Sequence, residues 1–172
     1  MCMVNETYAK YVSSATSTSE TSIARWKILV NNDDITLGST STSLITPIFP
    51  GTNDIGANVL APNAEGYFDI VLDGSNADVS FRYTITISVN ENSPVTELVP
   101  TKFVADNVEQ SFNGSNSIIG TVRYNEAQKV KNLRIYVKWD DSLNVMTNQE
   151  DTGTTVGNQK GMLDVTISAV QI

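Results

Sequence analysis

Histidine is missing from all 172 residues, and cysteine occurs once, at Cys2. The first absence removes the commonest general base and the commonest metal ligand. Ser-His-Asp and Cys-His catalysis and histidine-based zinc sites are therefore excluded within this chain. The second absence excludes an intramolecular disulfide framework. No apolar run approaches the roughly 20 residues that a membrane-spanning helix needs. Basic residues are scarce as well: Lys and Arg number 11 against 19 Asp and Glu, a net charge of −8. That surface repels phosphate backbones, so nucleic acid is not an expected partner. No intact signal peptide is read either, because Met1-Cys2-Met3-Val4 gives way at once to polar residues. A cytosolic protein fits that start, and so does one whose leader has been removed.

What the chain does contain is alternation. Phe81, Tyr83, Ile85, Ile87 and Val89 alternate with Arg82, Thr84, Thr86 and Ser88, and Phe68, Ile70 and Leu72 alternate with Asp69, Val71 and Asp73. Successive strand side chains point to opposite faces, so each run predicts a strand with one face on a core. The turn-forming stretch Asp73–Asp78 between them predicts a hairpin or a sandwich corner. Further strands are expected at Ile23–Val30, with Ala24, Trp26, Ile28 and Val30 inward, and at Asn132–Trp139, with Leu133, Ile135, Val137 and Trp139 inward. The last strand is expected within Met162–Ile172, where Leu163, Val165, Ile167 and Ala169 share a face. Shorter candidates are Ser43–Phe49, which Pro47 confines to an edge, Pro100–Ala105, and Ser117–Tyr124, where Gly120 suggests a bulge. Only Asn125–Lys131 has the composition of a helical turn, and it is too short to stand alone. About eight to ten strands without intervening helices predict an all-β fold, an antiparallel β-sandwich wound like a jelly roll.

The start of the chain does not fit a compact domain. Thr7–Val12 (TYAKYV) has strand composition, but Ser13–Ser22 is a Ser/Thr-rich stretch that cannot bury enough apolar surface to fold alone. Residues 1–22 thus form an arm and linker, and 23–172 a single domain. The arm is either an edge strand of its own domain or a strand that pairs with a neighbour's sheet.

Chemistry-bearing clusters are few. Asp140, Asp141, Glu150 and Asp151 supply hard oxygen ligands of the kind Ca²⁺ takes, without the spacing of an EF-hand loop. A solvated acidic loop accounts for them better, and Asn31–Asp34 reads as a turn. Trp26 and Trp139 would make a carbohydrate platform if exposed, but each lies on the apolar face of an alternating strand and is expected in the core. Paired carboxylates suffice for glycoside hydrolysis, yet among 19 acidic residues accidental pairs are certain. Asn5-Glu6-Thr7 and Asn113-Gly114-Ser115 match the N-glycosylation pattern, a short and frequent motif. No cofactor and no enzymatic activity are expected.

Three longer stretches carry a family resemblance: ARWKILVNNDDI (Ala24–Ile35), LAPNAEGYFDIVLDGSNADVSFRYTITI (Leu60–Ile87), and the ending from VKWDDSLNV (Val137–Val145) to LDVTISAVQ (Leu163–Gln171). Together with the TYAKYV start they resemble the TasA/camelysin-type secreted proteins of Gram-positive bacteria. The resemblance implies a jelly-roll domain exported through a dedicated signal peptidase and assembled into extracellular fibres of the biofilm matrix or cell surface. It implies that the chain's main partner is itself, with other matrix components possible, and that Thr7, Tyr8, Ala9, Lys10, Tyr11 and Val12 form a donor strand completing the sheet of the next subunit. It also implies that the leader has been trimmed, with Met1–Glu6 as its remnant. The metallopeptidase label of camelysin-like members does not carry over, because HExxH and every histidine are missing. The competing expectation is a monomeric surface or virion β-sandwich module that binds glycan or protein.

Overall fold

The computed structural model describes residues 21–36, 45–112, 114–143, 145–147, 150 and 160–172. The arm Thr7–Val12 and Asp151 lie outside these residues. The described residues form nine strands: β1 Leu29–Val30, β2 Asp33–Asp34, β3 Glu65–Asp73, β4 Phe81–Val89, β5 Leu98–Ala105, β6 Val108–Ser111, β7 Ser117–Val122, β8 Val130–Trp139 and β9 Leu163–Gln171. They build two antiparallel sheets, one of six strands in the order β2-β1-β3-β8-β5-β6 and one of three in the order β7-β4-β9. The protein is an all-β antiparallel sandwich. From β3 onward the chain crosses from one sheet to the other at every connection except the β5–β6 hairpin.

Period-two alternation explains which faces meet. Phe68, Ile70 and Leu72 of β3, Phe81, Ile85 and Ile87 of β4, and Leu133, Ile135 and Val137 of β8 are all buried in one core between the sheets. The stretch between β3 and β4 is a corner, since its flanking strands belong to different sheets. Two-residue turns close the hairpins β1–β2 and β5–β6. Their central residues Asn31 and Asn32 (φ 49° and 74°) and Asp106 and Asn107 (φ 49° and 67°) take the left-handed backbone that Asn and Asp tolerate.

Several expectations are corrected. The Ile23–Val30 strand is regular only at Leu29–Val30; Ile28 and Val30 are buried and Trp26 half-buried, but Ala24 is exposed. Of Ser43–Phe49, the described part makes a single bridge, Ile48 to Tyr67. Gly120 is not at a bulge: β7 pairs with β4 in unbroken register, with Gly120 opposite Tyr83. Its missing side chain makes room for the tyrosine ring, since a Cβ there would lie 2.2 Å from the ring atoms. The irregularity falls instead in β5, between Pro100 and Lys102, where proline lacks a ladder donor. Residues 125–131 are not helical; a short 3-10 helix forms at Asp141–Leu143.

The β3–β4 corner is pinned from outside. Arg25 donates to Asp78 through Nε and Nη2, both at 3.0 Å, its backbone N–H donates to Asp78 Oδ2, and the Asp78 backbone N–H donates to the Arg25 carbonyl. The Arg25 hydrogen bond pulls the Asp78 carboxyl down to about 2. A carboxylate whose folded value is depressed adds stability above its unfolded value of about 3.9 and loses that stability as pH falls through the folded value. Arg25 is largely exposed, so solvent screening keeps the contribution small. The expected result is that the difference in urea midpoint between wild type and Asp78→Asn, present at about pH 5, closes between about pH 4 and pH 2. A pH-independent difference would show that the pair does not couple to folding.

Candidate functional site

The sites that sequence composition raised for chemistry resolve into structural roles. Trp139 is buried at 1% exposure, and Trp26 packs edge-on against Phe81 with ring centroids 5.8 Å apart. Neither is a platform. Asp140 accepts from Ser142 and sits 3.4 Å from Lys138 Nζ, and these contacts hold its carboxyl below the ordinary range. Glu150 accepts from both the backbone and the hydroxyl of Thr147. Among the described residues, no three His, Cys, Asp or Glu side chains converge as metal ligands do.

The feature that stands out lies in the three-stranded sheet. Its central strand β4 is paired on both edges, and β7 presents buried Ile118 and Val122 to the core. On the opposite side, β9 pairs with β4 over its whole length, from Phe81↔Gln171 to Val89↔Leu163. Among the described residues nothing pairs with its other edge. The inward column of β9 shows the consequence: Ile167 is buried, while Leu163, Val165 and Ala169 are only half-buried although they face the core. Both β7 and β9 are edge strands of this sheet, but the inward side chains Ile118 and Val122 of β7 are buried, whereas most of those of β9 are not.

The composition of β9 leaves that edge unguarded. Soluble proteins blunt exposed edges with lysine, proline, bulges or very short strands. The nine residues Leu163–Gln171 hold one charge, Asp164, and no proline or glycine. The edges of the larger sheet are blunted by contrast, since β6 has four residues and β2 two. Beside the start of β9 an apolar groove of about 470 Å³ opens between Phe49, Val59, Leu60, Val137, Trp139 and Leu163. The alternation of β9 was legible in sequence; its position at an open edge was not, because strand order depends on long-range pairing.

Sequence reasoning missed Glu97 altogether. It lies just before β5, is buried at 1% exposure, and accepts from the backbone N–H groups of Val145 and Met146. The carboxylate thereby ties Val145 and Met146 to the body of the sandwich. Its second oxygen and the indole N–H of Trp139 have no hydrogen-bond partner among the described residues.

Compared with protein-family models and with curated proteins, the chain matches none.

Proposed function

We propose that this chain is the structural subunit of an extracellular filament, polymerising head-to-tail by strand donation. The Thr7–Val12 arm of one subunit adds a strand to the free edge of β9 in the next. The open edge carries the reading: a nine-residue, almost uncharged strand, with Leu163, Val165 and Ala169 of its inward face half-buried, pairs with nothing on its outer edge among the described residues. An added strand gains main-chain hydrogen bonds along its length, and its alternate side chains cover Val165, Ile167 and Ala169. Six residues reach about 20 Å, roughly two thirds of the length of β9. The Ser/Thr-rich linker suits a crossing between subunits because it imposes no rigid angle. Donor and acceptor are different surfaces, so the contact propagates into an open filament instead of closing as a two-fold dimer.

The resemblance to the TasA/camelysin-type proteins supports the same reading and extends it to a jelly-roll winding, secretion, and a place in the biofilm matrix or at the cell surface beside other matrix components. On this reading the protein is not an enzyme and takes no cofactor. Deleting residues 1–12 is expected to leave a folded monomer, by circular dichroism and size-exclusion chromatography, that forms no filaments under negative-stain microscopy. Ala9→Pro, which removes one ladder donor and fixes φ, is expected to shorten the filaments without abolishing them. Filaments of normal length from the deletion variant would refute strand donation.

A further inference from the structure

We propose that the cleft on the outer face of the six-stranded sheet binds a neutral oligosaccharide. This inference does not depend on how, or whether, the protein polymerises. The outward side chains of β3, β8 and β5 stand in register rows: Tyr67, Tyr136 and Lys102 in one, Asp69, Arg134 and Val104 in the next, then Val71 and Asn132. Over the second and third rows lies a cleft of about 840 Å³, lined also by Tyr136, by the Asp106–Asn107 turn and by Glu126 and Gln128. That volume falls in the range of small-ligand sites.

The charges of the cleft decide the ligand class. Arg134 makes a two-point contact with Asp69, at 2.7 and 2.8 Å, and stacks 4.1 Å from the centre of the Tyr67 ring. Lys131 is held between Glu126 and Asp106. Both cations of the lining are therefore neutralised, and three carboxylates against two cations leave the wall slightly negative. An anionic ligand would meet no free positive charge on a protein already at −8. A metal ion would meet carboxylates committed to Arg134 and Lys131, not a convergent set. An apolar ligand would desolvate the Asp69–Arg134 pair and the carboxamides of the lining without offering them hydrogen bonds.

A polyhydroxylated neutral ligand meets none of these obstacles. Each of its hydroxyls both donates and accepts, as do the exposed carboxamides of Asn107, Gln128 and Asn132. The ion pairs fix Asp69 and Arg134 in place, so their remaining acceptor and donor positions are preorganised toward the cleft. Tyr136, half-buried at its end, supplies an amphipathic wall.

The test is saturation-transfer NMR on the full chain, a ligand-observed measurement that tolerates assembly, with cellohexaose, laminarihexaose and maltoheptaose as neutral probes and trigalacturonate as the acidic one. Saturable transfer to at least one neutral probe is expected. In an Asn132→Ala/Gln128→Ala variant its affinity is expected to fall about ten-fold, while Thr84→Ala, on the outer face of the other sheet, leaves it unchanged. The proposal is overturned if no neutral probe saturates below about 10 mM. It is equally overturned if trigalacturonate binds better, or if the Asn132/Gln128 variant binds as wild type does.

Discussion

Trp139→Ala is expected to lower the unfolding free energy by about 3–5 kcal/mol, the range for large aromatic truncations in cores. Trp139 ends β8 and packs with Val95 and Leu98, with half-buried Leu60, Val89, Met146 and Leu163 around them. Its backbone is pinned by Asn63 and Ala64, so the strand cannot shift to fill the space. Two effects moderate the loss. The indole N–H has no partner among the described residues, so within them its removal breaks no hydrogen bond and relieves a desolvation cost. The adjoining apolar groove also lines on Trp139 and lets solvent into part of the void. The lower half of the range is therefore expected from urea denaturation followed by far-UV circular dichroism. A loss under about 1 kcal/mol would mean that Trp139 does not hold this end of the sandwich together.

Glu97→Ala is expected to cost about 2–4 kcal/mol and to free the backbone at Val145 and Met146. Two backbone N–H groups lose their acceptor, at about 1–3 kcal/mol for each that water does not reach. Val145 is exposed and Met146 half-buried, so water compensates one more than the other. Against this, a buried carboxylate whose second oxygen has no partner among the described residues is costly to hold, and its removal returns part of that penalty. The lost anchoring wins, because both donors converge on one oxygen. Hydrogen exchange at the Val145 and Met146 amides reports the release directly. Unchanged protection there would show that this backbone is held by something other than Glu97.

Some of this structure was legible in the sequence, and the reason differs from element to element. Strands β3, β4, β8 and β9 were legible because their apolar residues repeat every second position, and a half-buried strand admits no other period. Strand β6 was not. Its residues Val108–Ser111 are exposed on both faces, so no alternation marks them; they form a strand because the Asp106–Asn107 turn folds them back onto β5. Gly120 was misread because a glycine in a strand signals either a bulge or a close approach. The choice was made by Tyr83, some forty residues away in sequence and directly opposite in space. Glu97 gave no signal, since a lone carboxylate in a loop looks solvated until another segment closes over it. Of the proposed assembly site, the donor Thr7–Val12 was read from sequence and lies outside the described residues, whereas the acceptor edge emerged only from strand order.

The sequence by itself determined the class of fold, the inward and outward faces of the long strands, and the chemistries that a chain without histidine lacks. These follow from local properties: residue type, period two, and turn-forming composition. Tertiary structure alone decided that β3 and β4 part into different sheets, that β8 lies between β3 and β5, and that β9 is left with an open edge. Those outcomes rest on hydrogen-bond pairing between residues far apart along the chain, such as Phe68 with Ile135 and Phe81 with Gln171. Backbone ladder bonds are chemically alike in every strand, so only the mutual fit of buried faces selects which strands become neighbours.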